Sequence, residues 1–220
     1  MRVTRAAIVL AGGDPVEPAL RTLLPEDAVV IAADSGVHQA ELLDLRVDYL
    51  VGDLDSADEA AVERARAAGA VVERHPVEKD ATDLELAFDL ARDRGVQSVT
   101  VVGGGGGRVD HFLANVALLA SSRFSDLVVD ARIGDAHVSV VQGGRPALAV
   151  VGAIGSLITL LAVGGDACGV TTTGLQYPLH GATLRPGSSR GVSNVLVSER
   201  ATVELEQGTL LVIHVFGGTR

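Results

Sequence analysis

Residues 28–56, AVVIAADSGVHQAELLDLRVDYLVGDLDS, decide the fold of this chain. An apolar, β-branched run (28–33) gives way at Asp34 to a stretch with helical periodicity (35–45), and a second apolar run (48–51) ends in Gly52-Asp53-Leu54-Asp55-Ser56. Two short runs apolar enough to be buried on both faces, joined by an amphipathic segment, predict parallel strands with a crossover helix. Loops leaving the carboxyl ends of parallel strands gather at one edge of the sheet, the edge at which open α/β folds bind ligands. Asp34 and the pair Asp53 and Asp55 fall in such loops.

The same alternation extends in both directions. Further strands are expected at 6–11, 70–73 and 98–102, and helices at 57–68, 82–94 and 109–121. Leu84, Ala87, Phe88 and Ala91 recur at the spacing that packs one helix face on a sheet. After about Asp126 the texture changes to short strand-like runs (137–141, 156–161, 201–205, 210–215) separated by glycine-bearing turns, with no convincing helix. The reading is an α/β domain over residues 1–130 followed by a β-rich domain over residues 131–220.

Composition narrows the function. A chain of 220 residues, 47% hydrophobic, can bury a sizeable core. A formal charge of −10 with 18 Lys and Arg argues against nucleic acid as partner, although an acidic protein binds polyphosphate when metal ions intervene. Cys168 is the single cysteine, so no intrachain disulfide forms, and its apolar setting predicts a small buried hydrophobe in a reducing, cytoplasmic compartment. The apolar part of Met1–Gly13 is too short for a secretory core and reads as a first buried strand. Later apolar runs are interrupted well before a membrane span is reached, so no membrane partner and a soluble protein are expected.

The chemistry-bearing residues cluster after strands. Asp53 and Asp55 share a short loop, where carboxylates this close repel unless a cation neutralises them, and magnesium suits oxygen ligands of this kind. Alternatively they serve the following helix, for which Ser56 and Glu59 have capping-box spacing. Thr82 and Glu85 form a second capping box, with Asp83 in the first turn as a dipole partner; Asp80 lies before the cap, beside Lys79, which can meet phosphate oxygens as a point charge. Gly103–Gly107 places five consecutive glycines between a buried strand and a helix, exposing N–H groups to a phosphate, but lacks the ending of a P-loop. Arg108 adds a charged fork there. Asp110 and Asn115, on the helix that follows, face the same loop, or Asp110 pairs with Arg108; His111 reads as structural. Neither zinc-ligand spacing nor a nucleophile elbow is present.

In this order and spacing, Ala33-Asp34-Ser35-Gly36, Gly52-Asp53-Leu54-Asp55-Ser56, Glu78-Lys79-Asp80-Ala81-Thr82-Asp83 and Gly106-Gly107-Arg108-Val109-Asp110-His111 resemble the thiamin pyrophosphokinase signature. Gly174-Leu175-Gln176-Tyr177-Pro178-Leu179 and Gly191-Val192-Ser193-Asn194 resemble the family's thiamin-binding segments. Ser35 departs from a common glycine, and Tyr177 from the tryptophan of some relatives. The resemblance implies a Rossmann-like nucleotide domain, a β-sandwich and a homodimer holding thiamin where subunits meet. It also implies magnesium on Asp53, Asp55 and Asp80, and a nucleotide site of Asp34, Lys79, Thr82, Asp83, Gly104, Gly106, Gly107, Arg108, Asp110 and Asn115. Tyr177, Ser193 and Asn194 would line the thiamin pocket; an aromatic face attracts the cationic thiazolium, though Tyr177 also suits simple packing.

The implied reaction is in-line attack of the thiamin hydroxyl on the β-phosphorus of ATP, releasing AMP. Asp80 and Asp55 are the candidates to accept the hydroxyl proton, and a separate base is not required by such chemistry. Two rivals stand beside it: diphosphate transfer to another hydroxymethyl heterocycle such as a pterin, and a non-catalytic nucleotide or thiamin sensor.

Overall fold

The computed structural model describes residues 6–216. Met1–Arg5, at the head of the stretch read as a first strand, lie outside them. The chain divides into two compact units, one running to Leu118 and including Asp126–Gly134, the other made of Leu119–Ser125 and the chain from Asp135 onward.

The first unit is a parallel sheet with helical crossovers. Its strands are β1 (Ala6–Ala11), β2 (Ala28–Ala33), β3 (Tyr49–Gly52), β4 (Val71–Arg74), β5 (Ser98–Gly103) and β6 (Val128–Ile133), ordered β6-β5-β1-β2-β3-β4. Helices α1 (Val37–Leu42), α2 (Glu59–Ala67), α3 (Asp83–Asp93) and α4 (Val109–Leu119) connect them. The order runs away from β1 through β2, β3 and β4 on one side and through β5 and β6 on the other. The switch point therefore lies between β1 and β5, so Gly12-Gly13 and Gly103–Gly107 emerge as neighbours at the ligand-binding edge.

Local chemistry sets the helix bounds. A 3-10 turn over Asp34–Gly36 precedes α1, which is shorter than the periodicity predicts because Asp44 takes φ 50° and Leu45 N–H turns back to the Ala40 carbonyl. At α2 the capping box expected of Ser56 and Glu59 does not form: Asp58 is the cap, accepting from Ala60 N–H, while the Ser56 hydroxyl donates to Asp55. Asp58 wins because a cap must directly precede the first helical residue. Thr82 caps α3 as read, its hydroxyl accepting from Glu85 N–H at 3.2 Å. Leu84, Ala87, Phe88 and Ala91 are all buried, and α3 lies across β1, β2 and β3. Ile8, Leu10, Val30, Ala32 and Leu50 pack with α1 and α2 residues in one core.

The strands of the second unit form two antiparallel sets, the second of them a separate four-stranded sheet. Strands β7 (Ala136–Gln142), β9 (Leu157–Ala162), β12 (Asn194–Val195) and β14 (Thr209–Val215) lie in the order β12-β9-β14-β7. Strands β8 (Leu148–Val151), β10 (Ala167–Thr173), β11 (Ala182–Leu184) and β13 (Arg200–Glu204) lie in the order β11-β10-β13-β8. Ile158, Leu160 and Leu210 from one sheet share a core with Val170, Leu184 and Val203 from the other. Cys168, expected to be buried, is half-buried, because the pairing of β10 with β11 shifts register between Ala167 and Val170. No α-helix follows α4 among the described residues, and none there is long and apolar enough to cross a membrane.

Candidate active site

Adjacent parallel strands end at adjacent points, and β2 and β3 both end in aspartates. Asp34 follows β2 with φ 47°, an unusual conformation for a residue with a side chain, and Gly52 closes β3 with φ 144°. A Cβ on Gly52 would stand 2.9 Å from Asp83 Oδ1 and 3.3 Å from Asp34 Cβ, so only glycine lets these two side chains converge over the strand end. Asp34, Asp53 and Asp83 consequently present carboxylate oxygens that all lie within 4.8 Å of one another.

Lys79 neutralises part of this charge. Its ammonium donates to Asp53 Oδ2 at 2.6 Å and stands 3.1 Å from Asp83 Oδ1, with only 14% of its side chain exposed. That hydrogen bond holds the Asp53 carboxyl below its usual range. Burial pulls Lys79 down, but its hydrogen bonds and the charges of Asp53 and Asp83 outweigh this and hold it above its ordinary value. Asp34 goes the other way: burial raises it, the Ser35 N–H opposes, and the nearby Asp83 and Asp53 charges add to the rise. Asp34 Oδ1 is buried without a hydrogen-bond partner. Asp83 Oδ1 is likewise buried and meets only the Lys79 ammonium, and three converging carboxylates in this state fit a hard divalent cation.

These acids form one wall of a cavity of about 610 Å³, a volume suited to a small-molecule ligand. Asp55, Thr82 and Ser35 also face it. The glycine loop also lines it, through Gly104, Gly106 and Gly107, with Arg108 and Asn115. Gly106 takes φ 74°, a left-handed conformation that favours glycine; a Cβ there would also meet the movable Asp14 carboxylate. Arg108 makes two bonds to Asp110, at 3.2 and 2.6 Å, and this pairing holds the Asp110 carboxyl down at about 2. Asp110 itself does not face the cavity, and neither does Asp80, which is exposed. The predicted acids are thus divided: Asp53 lies in the convergent group, Asp55 on the wall beside it, and Asp80 outside both.

The thiamin-segment residues lie in the second unit. Asn194 is 3% exposed; its side-chain carbonyl accepts from Tyr177 N–H and Val195 N–H, and its amide donates to the Tyr177 carbonyl at 2.8 Å. The backbone of Tyr177 is therefore clamped while its side chain is left exposed. Ser193 takes φ 54°, and its N–H donates to the Thr159 hydroxyl.

Two family models match in tandem: the thiamin pyrophosphokinase catalytic domain over residues 20–130 and the thiamin pyrophosphokinase vitamin B1 binding domain over residues 151–210. The chain belongs to the thiamin pyrophosphokinase family. It is 29% identical over 208 residues to the thiamine pyrophosphokinase of Bacillus subtilis, covering 94% of this chain and 96% of that protein. The crystal structure of Bacillus subtilis thiamine pyrophosphokinase superimposes with a TM-score of 0.84 at 26% identity, covering 97% of this chain and all of that one. Thiamin pyrophosphokinase from Geobacillus thermodenitrificans gives 0.80 at 26% identity, covering 97% and 98%. The pterin and sensor alternatives are not favoured by these matches.

The acidic cavity lies in the stretch matched by the catalytic-domain model, apart from the end of β1 and the turn after it. Sequence reading gathered Asp34 and Asp53 at one edge but assigned Asp34 and Asp83 to the nucleotide, not to the metal. The signal was strand adjacency: Asp34 and Asp53 end neighbouring strands, and Asp83 starts the helix lying across them. Gly12, Gly13 and Phe112 also face the cavity, with His111, which had been read as structural.

Proposed function

We propose that the first unit's cavity carries the diphosphoryl transfer of this family member, from ATP to the hydroxyethyl oxygen of thiamin, giving thiamin diphosphate and AMP. The observation that carries the reading is the convergence of Asp34, Asp53 and Asp83 in a cavity that the glycine loop also lines, acids for a metal and N–H donors for phosphates in one place. Magnesium, when bound, would offset phosphate charge.

The chain's own residues divide the work. Asp53 is the central ligand, joined by Asp34 and Asp83; Asp55 and Asp80, also read as ligands, are assigned the outer positions of the same acidic edge. Lys79 holds the carboxylates together and is within the cavity to meet a phosphate oxygen. Gly104, Gly106 and Gly107 allow the triphosphate close to the backbone, and Arg108, Thr82 and Asn115 supply polar contacts. The exposed face of Tyr177 is offered to the thiazolium, with Ser193 and Asn194 shaping its loop.

A Rossmann-like nucleotide domain joined to a thiamin-binding sandwich, working as a cytoplasmic homodimer, completes the proposal. Its support is the exposure of Tyr177 (59%) and, on α4, of Val109 (71%) and Leu113 (61%), large apolar surface for a monomer to leave in water. Sedimentation should then report a dimer.

Incubation with ATP, magnesium and thiamin should give thiamin diphosphate and AMP in equal amounts. Asp53→Asn should nearly abolish AMP formation, and Asp80→Asn should lower it. Product from a hydroxymethylpterin in place of thiamin, or ligand binding without turnover, would reject the reading.

A further inference from the structure

Gln39 is one of very few buried polar side chains among the described residues, at 3% exposure, and it does not face the cavity. It lies in α1 among apolar core residues, where an unpaired amide is costly. Both ends of that amide are engaged on one loop: Oε1 accepts from Val16 N–H at 3.1 Å, and Nε2 donates to the Asp14 carbonyl at 3.1 Å. A single side chain thus supplies the donor and acceptor that a neighbouring strand would supply to alternate residues of an extended segment.

That loop is the support of the glycine loop. Asp14 N–H donates to the Gly105 carbonyl at 2.9 Å, and Gly104 N–H donates to the Gly12 carbonyl at 2.8 Å. The packing is close as well, since a Cβ on Gly13 would fall 2.2 Å from the Gly105 carbonyl oxygen and one on Gly106 would fall on the Asp14 carboxylate. Glycine has the greatest conformational freedom of any residue, so five in succession hold one shape only where neighbours impose it. Ala11, Asn115 and Ile133 close on parts of the run, Gly12 and Asp14 hydrogen-bond to its backbone, and what holds the chain at residues 14 and 16 is Gln39.

We infer that Gln39 is a positioning residue for nucleotide binding, acting through the 12–16 loop to hold the N–H groups of Gly105–Gly107 in the geometry that receives the phosphates. The inference rests on the proposed use of the glycine loop as the phosphate site. Substitution at Gln39 frees the loop from α1 and lets the cradle sample many shapes, so ordering it becomes part of the cost of binding. Thiamin recognition is not involved.

The test is calorimetric binding of the magnesium complex of α,β-methylene-ATP to the full chain. Gln39→Leu, similar in size and without hydrogen bonds, is expected to weaken binding about tenfold while leaving the KM for thiamin unchanged. Gln39→Glu keeps the shape and adds a pH signature. A buried carboxyl is pushed toward its neutral form, which donates to Asp14 and accepts from Val16 as the amide does. Its ionised form presents two acceptors and faces the Asp14 carbonyl with repulsion. The affinity of Gln39→Glu relative to the native protein should therefore be near unity at acid pH and fall as pH rises. Equal nucleotide affinity in Gln39→Leu and the native protein, a parallel rise in the thiamin KM, or a pH-independent ratio for Gln39→Glu would overturn the inference. Failure of the native protein to bind the nucleotide would instead reject the functional reading beneath it.

Discussion

At the scale of single residues, Lys79 and Asp34 show how the site manages charge before any ligand arrives. Lys79 stands between Asp53 and Asp83, and Asp34 is left with a buried, unsatisfied oxygen. Lys79→Met should therefore destabilise the metal-free protein by about 1–3 kcal/mol, less than a fully buried pair because the side chains keep some solvent contact. Added magnesium should then raise the melting temperature of Lys79→Met more than that of the native protein, since the ion replaces the missing charge; equal shifts would contradict the assignment. Asp110 gives a pH prediction. Its folded value of about 2 lies below the ordinary value of about 3.9 for aspartate, so the Arg108 pair favours the folded state above about pH 4 and that contribution is lost as pH falls toward 2. Both side chains are exposed, so the effect is small and screened by salt. Carboxyl titration by NMR should place Asp110 near 2 at low ionic strength and move it upward in 1 M salt; a midpoint near 4 in both would refute the pairing.

At the scale of elements, α3 is where local and tertiary signals agree. Thr82 caps it, its apolar stripe is buried, and its first turn delivers Asp83 to the site. Phe88, fully buried beneath it, ties the helix to the sheet. Phe88→Ala should cost roughly 3–5 kcal/mol in chemical denaturation and weaken metal binding through Asp83; a loss well under 1 kcal/mol would show that α3 is not anchored there. Elements of this kind were legible in the sequence. β1 and β2 fall on the predicted residues because their apolar runs end sharply at Gly12 and Asp34. α1 came out short because a left-handed Asp44 carries no pattern in composition. β6 was not anticipated, and β8, β10, β11 and β12 were missed because they are brief or, as in ACGVTTT of β10, interrupted by a glycine at φ 70°.

At the scale of the whole molecule, the order of strands does what spacing along the chain cannot. Asp34, Asp53 and Asp83 are 19 and 30 residues apart in sequence, each in a separate segment; the parallel pairing of β2 with β3 and the crossing of α3 bring them together. The family was legible in the sequence; the ligand set Asp53, Asp55 and Asp80 came from the resemblance and from loop position, which is visible in sequence whereas the direction of a side chain such as Asp83 is not. The central claim is that one divalent ion is gripped by Asp34, Asp53 and Asp83. The most direct measurement is a crystal structure with manganese and α,β-methylene-ATP, using anomalous scattering to place the ion. The account predicts an anomalous peak within direct coordination distance of all three carboxylates and of the phosphates. A peak held by Asp55 and Asp80, with Asp34 and Asp83 turned away, would contradict it.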